Sequence, residues 1–312
     1  MMKITAISDL HGYLPLLDPC DVVCICGDIS PIEYDRKPDK CIHWFRNNFL
    51  NWCSKLQCDK IIFIAGNHDF FLETLGNKVH FIIQEYELQD KVIYLENTEY
   101  IYQGVKFYGC PNVENLAHWA FYTWDGHEYK YIPKDTDILL THMTPSIGEL
   151  GRDMTLIREF GSLKLAKVIR NLPKLQYAFC GHIHDGDHRI TQVNQIKCIN
   201  CSILDDNYER TYDSKTVELD IFELPNRDGD KNYLLFTGVE NNLLVYELRL
   251  EHDWGMRVIF GDDSEEIVAI DPSGGPFISV SDQMKLGEQI LELVEINDLK
   301  LKFKDAKDEE IV

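Results

Sequence analysis

The chain has 312 residues, 45% of them hydrophobic, and carries 52 Asp and Glu against 31 Lys and Arg for a formal net charge of −21. That apolar fraction supplies a sizeable core and excludes global disorder, and the length suits one large domain or two smaller ones. The negative surface repels long polyanions and so excludes a general nucleic-acid binder, while a local cationic site could still draw in a small anion.

The start, "MMKITAISDL", has an apolar run too short for a secretory leader, and no stretch reaches the length of a membrane span. The expectation is a soluble cytoplasmic protein with no membrane partner. The 10 cysteines sit largely in apolar contexts such as "VVCICGD" and "YAFCGH", where a thiol behaves as a small hydrophobe. Cys198 and Cys201 form a CxxC in an apparent strand rather than at a helix start, which reads as core packing and not as a redox or zinc pair.

In chain order, "MKITAIS", "DVVCICGD", "KIIFIAGN", "VKFYGCP", "TDILLTH", "YAFCGH" and "IKCINCS" read as buried strands, with helical spacing over residues 39–56 and 161–171. Strands alternating with helices predict a layered α/β architecture over residues 1–222. The polar stretch 223–231 reads as a linker. Beyond it, "YLLFTGV", "NLLVYEL", "MRVIFGD", "EIVAIDP" and "FISVSD" predict a small, mostly β accessory domain over 232–312, with one helical pattern at 283–292 and a frayed charged tail. From residue 223 onward 9 Lys and Arg face 21 Asp and Glu, which reads as a solvated face.

The strand ends carry the chemistry. The first run ends in Asp9 with His11 beyond it, the second in Gly27-Asp28, and the third in Gly66-Asn67-His68-Asp69. Later runs end in Thr141-His142 and in Gly181-His182-Ile183-His184. In layered α/β proteins sites form at the carboxyl ends of the strands, so residues far apart in the chain can converge there. In extended chain, residues two apart share a face, as Asp9 and His11 do, and again His182 and His184. One such piece occurs readily by chance; all five at strand ends point to a metal site.

D-x-H, GD, GNHD, a later His and GHxH, in that order, resemble the calcineurin-like metallophosphoesterase superfamily over residues 1 to about 222. "GCPNVENLAHWAF", "IPKDTDILLTHMTP", "FCGHIHDG" and "INCSILDDNY" are similar to the branch that contains the brain cyclic-nucleotide phosphodiesterase-like proteins. That branch commonly has His-Gly-Pro-Pro where this chain has His142-Met143-Thr144-Pro145, so the substrate lip differs. The resemblance implies a four-layer α/β/β/α sandwich holding two divalent metals, one on Asp9, His11, Asp28 and His184, the other on Asp28, Asn67, His142 and His182. It also implies attack on a phosphoester by a metal-bridging hydroxide, with His68 aiding the leaving group; Asp69, next to it, is expected to orient His68 as a carboxylate does for many catalytic imidazoles. Mixed imidazole and oxygen ligation suits manganese, taken first, or iron, zinc, cobalt or nickel, better than calcium or magnesium.

The expected substrate is a small phosphodiester, a cyclic or linear nucleotide included. A phosphomonoesterase, a phosphoprotein phosphatase and a non-catalytic scaffold on the same fold remain as alternatives. Residues 112–131 concentrate aromatic side chains that could stack a base, although a packed surface loop or domain contact is the plainer reading. Arg152 and Arg158 read as helix-surface charge before they read as phosphate grips.

Overall fold

The computed structural model describes residues 1–224, 231–250, 257–260, 267–271, 277–286 and 289–306. The chain runs β1 (Met2–Ile7), β2 (Val22–Cys26), α1 (Pro38–Trp44), α2 (Leu50–Lys55), β3 (Lys60–Ile64), α3 (Phe70–Leu75), α4 (Lys78–Glu85), β4 (Val92–Tyr94), β5 (Thr98–Tyr102) and β6 (Val105–Cys110). It continues through β7 (Ile138–Thr141), β8 (Arg152–Asp153), β9 (Arg158–Glu159), α5 (Leu163–Ile169), β10 (Tyr177–Cys180), β11 (Thr191–Val193), β12 (Ile196–Asn200), β13 (Lys215–Leu219) and β14 (Ile221–Leu224). The remaining strands are β15 (Asn232–Glu240), β16 (Leu243–Leu250), β17 (Arg257–Phe260), β18 (Ile267–Asp271), β19 (Ile278–Ser279), β20 (Gln283–Leu286), β21 (Gln289–Asn297) and β22 (Lys300–Asp305). Two compact units result: Lys3–Tyr100 with Lys106–Val217, and Met1–Met2 and Ile101–Val105 with Glu218–Val312.

The larger unit is built on two sheets, β13-β1-β2-β3-β4 and β11-β12-β10-β7-β6-β5. Strands β1 to β4 run parallel, as do β6, β7, β10 and β12. Parallel strands covered on both faces are apolar at every position, and β2, "VVCIC", is buried along its whole length. The alternation assigns the faces. Val23, Ile25, Ile61 and Phe63 pack under the helices with Phe45, Phe49, Phe71 and Val79. Leu139, Ala178 and Cys198 pack against Leu165, Ala166 and Ile169 of α5. The interleaved residues Cys24, Ile62, Ile64, Phe107, Leu140 and Phe179 are also fully buried and fill the space between the sheets. The order is therefore helices, sheet, sheet, helix.

The sheets approach closely enough to exclude a side chain. A methyl group at Gly109 of β6 would stand 2.5 Å from Cβ of Leu95 and 2.6 Å from Cγ2 of Ile64 in β3. Helices α3 and α4 extend the helical layer beyond the segments that the sequence predicts. Arg152 and Arg158 lie on the two-stranded β8–β9 ribbon and not on a helix.

The smaller unit is an antiparallel sheet, β14-β15-β16-β22-β21-β20, with a three-stranded sheet β17-β18-β19. Its core includes Leu234, Leu248, Leu291, Leu293, Leu301 and Phe303. The helix expected over 283–292 is absent: β20 and the start of β21 occupy that stretch. Met284, Leu286, Ile290 and Leu291 are spaced in sequence as on a helix face, but Met284 pairs with Leu291 across β20 and β21, where Leu286 and Leu291 are buried and Ile290 is exposed. Of the expected linker, Glu223 and Leu224 belong to β14, and residues 225–230 lie outside the described residues, as do 307–312 of the charged tail. No helix among the described residues is long and apolar enough to cross a membrane.

Gly109→Ala tests the sheet contact. The added methyl overpacks it and lowers stability by roughly 1–3 kcal/mol, read as a lower urea midpoint with an unchanged m-value.

Candidate metal centre

Asp9, Asp28 and Asn67 follow β1, β2 and β3, while His142 and His182 follow β7 and β10. Because the strands within each sheet are parallel, all five reach the same kind of edge, the carboxyl end. Hydrogen bonds stitch the two edges together: Ser8 pairs with Ser202, the Ile203 amide donates to the Ser8 carbonyl at 3.1 Å, and His142 Nδ1 donates to the Cys26 carbonyl at 2.8 Å. The turns that follow are tight. Asp9, His11, Asp28 and His182 all take left-handed backbone conformations, with φ of 55°, 41°, 51° and 73°. Non-glycine residues occupy that region only where their surroundings hold them. Here the Asp9 amide donates to the Gly27 carbonyl and the His11 amide to the Asp28 carbonyl. Gly66 gives Asp28 its room, since a Cβ there would fall 2.2 Å from Asp28 Oδ1.

Two carboxylates and a ring of imidazoles converge. Asp9 is fully buried and accepts from the His182 amide and from Ser202 Oγ at 2.7 Å. Its Oδ1 lies 3.3 Å from His184 Nε2, which in turn lies 3.3 Å from His11 Nε2. Asp28 Oδ1 accepts from the His68 amide, and Oδ2 lies 3.2 Å from His142 Nε2 and 3.8 Å from His11 Nε2. Asn67 Oδ1 is 3.0 Å from His142 Nε2. His182 packs its ring on His142 with centroids 5.2 Å apart.

The donor set fits metal ions. His142 and His184 each spend Nδ1 on a backbone carbonyl, Cys26 and Asp205. When neutral, each therefore aims a bare Nε2 lone pair at carboxylate and amide oxygens. Acceptors facing acceptors require a cation between them. Burial opposes charge on His142 and His184, but Asp28 beside the first and Asp9 beside the second outweigh it and raise both to about 9. Burial prevails at His11 and His182 and lowers both to about 4. Burial also works against ionised Asp9 and Asp28, yet the imidazoles hold both carboxyls below their usual range. The pocket demands positive charge, whether from protons on His142 and His184 or from metal ions among the same atoms. Three donor groups are close enough to share an ion: Asp9 with His11 and His184, Asp9 with Asp28 and His142, and Asp28 with His11 and His68.

The calcineurin-like phosphoesterase family profile matches residues 2–186, more than half of the sequence. The chain belongs to the calcineurin-like phosphoesterase family. A UPF0046 protein of Caenorhabditis elegans is 27% identical over 238 residues, covering 67% of this chain and 57% of its own length. Human metallophosphoesterase domain-containing protein 1 is 24% identical over 230 residues, 66% of this chain and 68% of its own. The match thus spans little more than half of the worm protein. A dimetal phosphatase from Danio rerio aligns with 80% of this chain and 96% of its own at 11% identity and a TM-score of 0.42. The family profile is that of calcineurin-like phosphoesterases, which use divalent metals, and this chain presents candidate ligands for such ions.

Within this calcineurin-like centre, one expected partner is replaced. Asp69 does not orient His68. Its buried carboxylate accepts from the amides of Ile29, Ser30 and Gly66 and from Ser30 Oγ at 2.6 Å, clamping the Gly27-Asp28 turn to the Gly66-Asn67 turn. Burial, and then the Asp28 charge, push its carboxyl up to about 6. Asp35 takes the other role: His68 Nδ1 donates to Asp35 Oδ2 at 2.8 Å. The aromatic run divides. Phe121 and Tyr129 are core residues and Trp124 is exposed, while the Trp119 ring lies 4.5 Å from His68. Trp119 is held there by the Ala120 amide on the Asn67 carbonyl and the Phe121 amide on Glu73. Tyr208 sets its ring edge-on to His11 and His184 at 5.0 and 5.5 Å. Asp35 comes from a turn that no motif marks, whereas Ser202, Asp206 and Tyr208 all lie within "INCSILDDNY", quoted above for its resemblance. Cys198 and Cys201 are buried free thiols, as packing residues should be.

Asp69→Ala strands three backbone donors in the interior, each costing roughly 1–3 kcal/mol. The expected outcome is a large fall in the denaturation midpoint, measured by chemical unfolding of the metal-loaded protein.

Proposed function

We propose that the chain hydrolyses small phosphodiesters, with nucleotides, cyclic or linear, as candidate substrates. The observation that carries this reading is the His68–Asp35 pair. Asp35 Oδ2 accepts from His68 Nδ1 and fixes the ring, so that the Nε2 side, 4.0 Å from Asp28 Oδ2, lines the cleft. A phosphodiester leaves a poor alkoxide, which needs a proton as the bond breaks, and an imidazole held by a carboxylate suits that donation. Trp119 forms a wall beside His68 that an apolar or aromatic ester substituent can lie against.

Asp9, His11, Asp28, Asn67, His142, His182 and His184 are the proposed metal-holding residues, with manganese first and iron, zinc, cobalt or nickel as further candidates. Bound there, two divalent ions supply Lewis acidity to phosphoryl oxygens and make water acidic enough to attack at neutral pH. The chain's own contribution is orientation. Asp205 and Cys26 carbonyls fix the rings of His184 and His142, Ser202 and the His182 amide fix Asp9, and the His68 amide fixes Asp28. The net charge of −21 favours small esters over long nucleic acid as partners.

Asp28→Ala lowers bound metal in elemental analysis. His68→Ala retains it, yet loses turnover on the order of a hundredfold. Asp35→Asn reproduces part of that loss with metal content unchanged. Full activity in His68→Ala removes His68 from the mechanism.

The substrate class is read from kcat/KM for a bis-aryl phosphate against an aryl phosphate, repeated with cyclic and linear nucleotides and each metal. The diester is expected to be faster. A monoester preference with every metal makes the protein a phosphomonoesterase instead.

A further inference from the structure

Asp206 lines the cleft with Asn67, His68, His182, His184 and Tyr208, a space of about 300 Å³. An acidic side chain is a poor choice for the wall of a phosphate site. Among the described residues its carboxylate has no hydrogen-bond or ion-pair partner. After burial, which raises its carboxyl, the charges that act on it are Asp185 and Asp153, then His184 and Asp205. Three of those four charges are carboxylates, and only the His184 imidazole acts the other way.

The position is also fixed. Neighbouring Asp205 accepts from the Asn207 amide at 2.9 Å, the Glu209 amide at 3.0 Å and Thr211 Oγ1 at 3.1 Å. The Asp205 carbonyl accepts from the Tyr208 amide at 2.8 Å and from His184 Nδ1 at 3.0 Å. Leu204 pairs with Arg210 across the base of the turn. The turn that carries Asp206 is thus wired to an imidazole of the metal centre.

We propose that Asp206 is a specificity-determining residue that turns the site toward monoanionic phosphodiesters by repelling dianionic phosphate monoesters; this rests on the phosphodiesterase reading above. Two divalent ions offset by Asp9 and Asp28 form a cationic centre. On charge alone such a centre favours a monoester, which is close to dianionic at neutral pH with a second pKa of about 6. Asp206 subtracts one charge on the substrate side. Asp206 is exposed, so salt screens it, and one extra unit of substrate charge about 10 Å from such a carboxylate changes affinity roughly tenfold only at low ionic strength. Asp28 also lines the cleft but is engaged by the His68 amide and His142, and nearby Asp35 is committed to His68, which leaves Asp206 as the carboxylate of the cleft without a partner among the described residues.

The test uses the full-length, metal-loaded protein, with Asp206→Asn and Asp206→Glu. Two readouts are taken: the ratio of kcat/KM for bis-aryl phosphate over aryl phosphate, and equilibrium binding of inorganic phosphate against dimethyl phosphate by calorimetry. At low ionic strength Asp206→Asn is expected to shift both ratios about tenfold toward the dianion, and Asp206→Glu to keep the wild-type ratios. Added salt should narrow the wild-type discrimination and leave that of Asp206→Asn nearly flat. Equal ratios in wild type and Asp206→Asn, or identical behaviour of the Asn and Glu variants, overturn the proposal while a wild-type diester preference still stands. A wild type that prefers the monoester, with a further tenfold shift in Asp206→Asn, overturns the phosphodiesterase reading and upholds the charge filter.

Discussion

Two carboxylates shut away from water within one pocket are the constraint on which the rest of this centre depends. Asp9 and Asp28 are 0% and 2% exposed. An unpaired buried carboxylate costs several kcal/mol, so each must meet hydrogen-bond donors and positive charge at fixed points. Backbone amides, Ser202 and the imidazoles fulfil that need, and they can do so only because two parallel sheets deliver their carboxyl ends to one edge. The left-handed turns at Asp9, His11, Asp28 and His182 are the local cost of that delivery. The turn at Asp28 persists because Asp69 ties it to the Gly66-Asn67 turn from behind.

The apolar framework and the polar centre therefore support each other. Fully buried strands leave no freedom to slip in register, since a shift of one residue would exchange the face packed under the helices for the face packed on the other sheet. A rigid register is what allows side chains from residues 9 and 184 to meet within 3.3 Å. The close passage of β6 over β3 at Gly109 shows how little slack remains between the layers.

Much of this was legible in the sequence because the strands are continuous apolar runs and their polar ends stand out against them. The five strand-end motifs reveal themselves by abrupt changes of chemistry at Asp9, Asp28, Asn67, His142 and His182. Asp35 was not legible. It lies seven positions past Asp28 in an irregular turn, and only the folded chain brings it to His68, whereas Asp69 stands next to His68 in sequence and faces the other way. Trp119 could not be told from Phe121 or Tyr129 within one aromatic run, because the choice between core and cleft depends on how the loop is pinned at Ala120 and Phe121. Asp206 and Tyr208 sit in a turn whose shape is set by Asp205. In the second unit, Leu286, Ile290 and Leu291 sit four and five residues apart in sequence, and only the pairing of β20 with β21 shows that they belong to strands.

The pairing of Asp9 with Ser202 and the His182 amide has a consequence for synthesis. The ribosome releases Asp9, His11, Asp28 and Asn67 long before His142, His182 and His184. A nascent chain therefore carries the first four of these residues unpartnered while residues 68–141 are translated. During that interval its carboxylates are hydrated and its histidines open to any metal in solution. Ser202 can close over Asp9 only once β12 has emerged, so the last strand of the second sheet completes the surroundings of the first buried carboxylate of the chain.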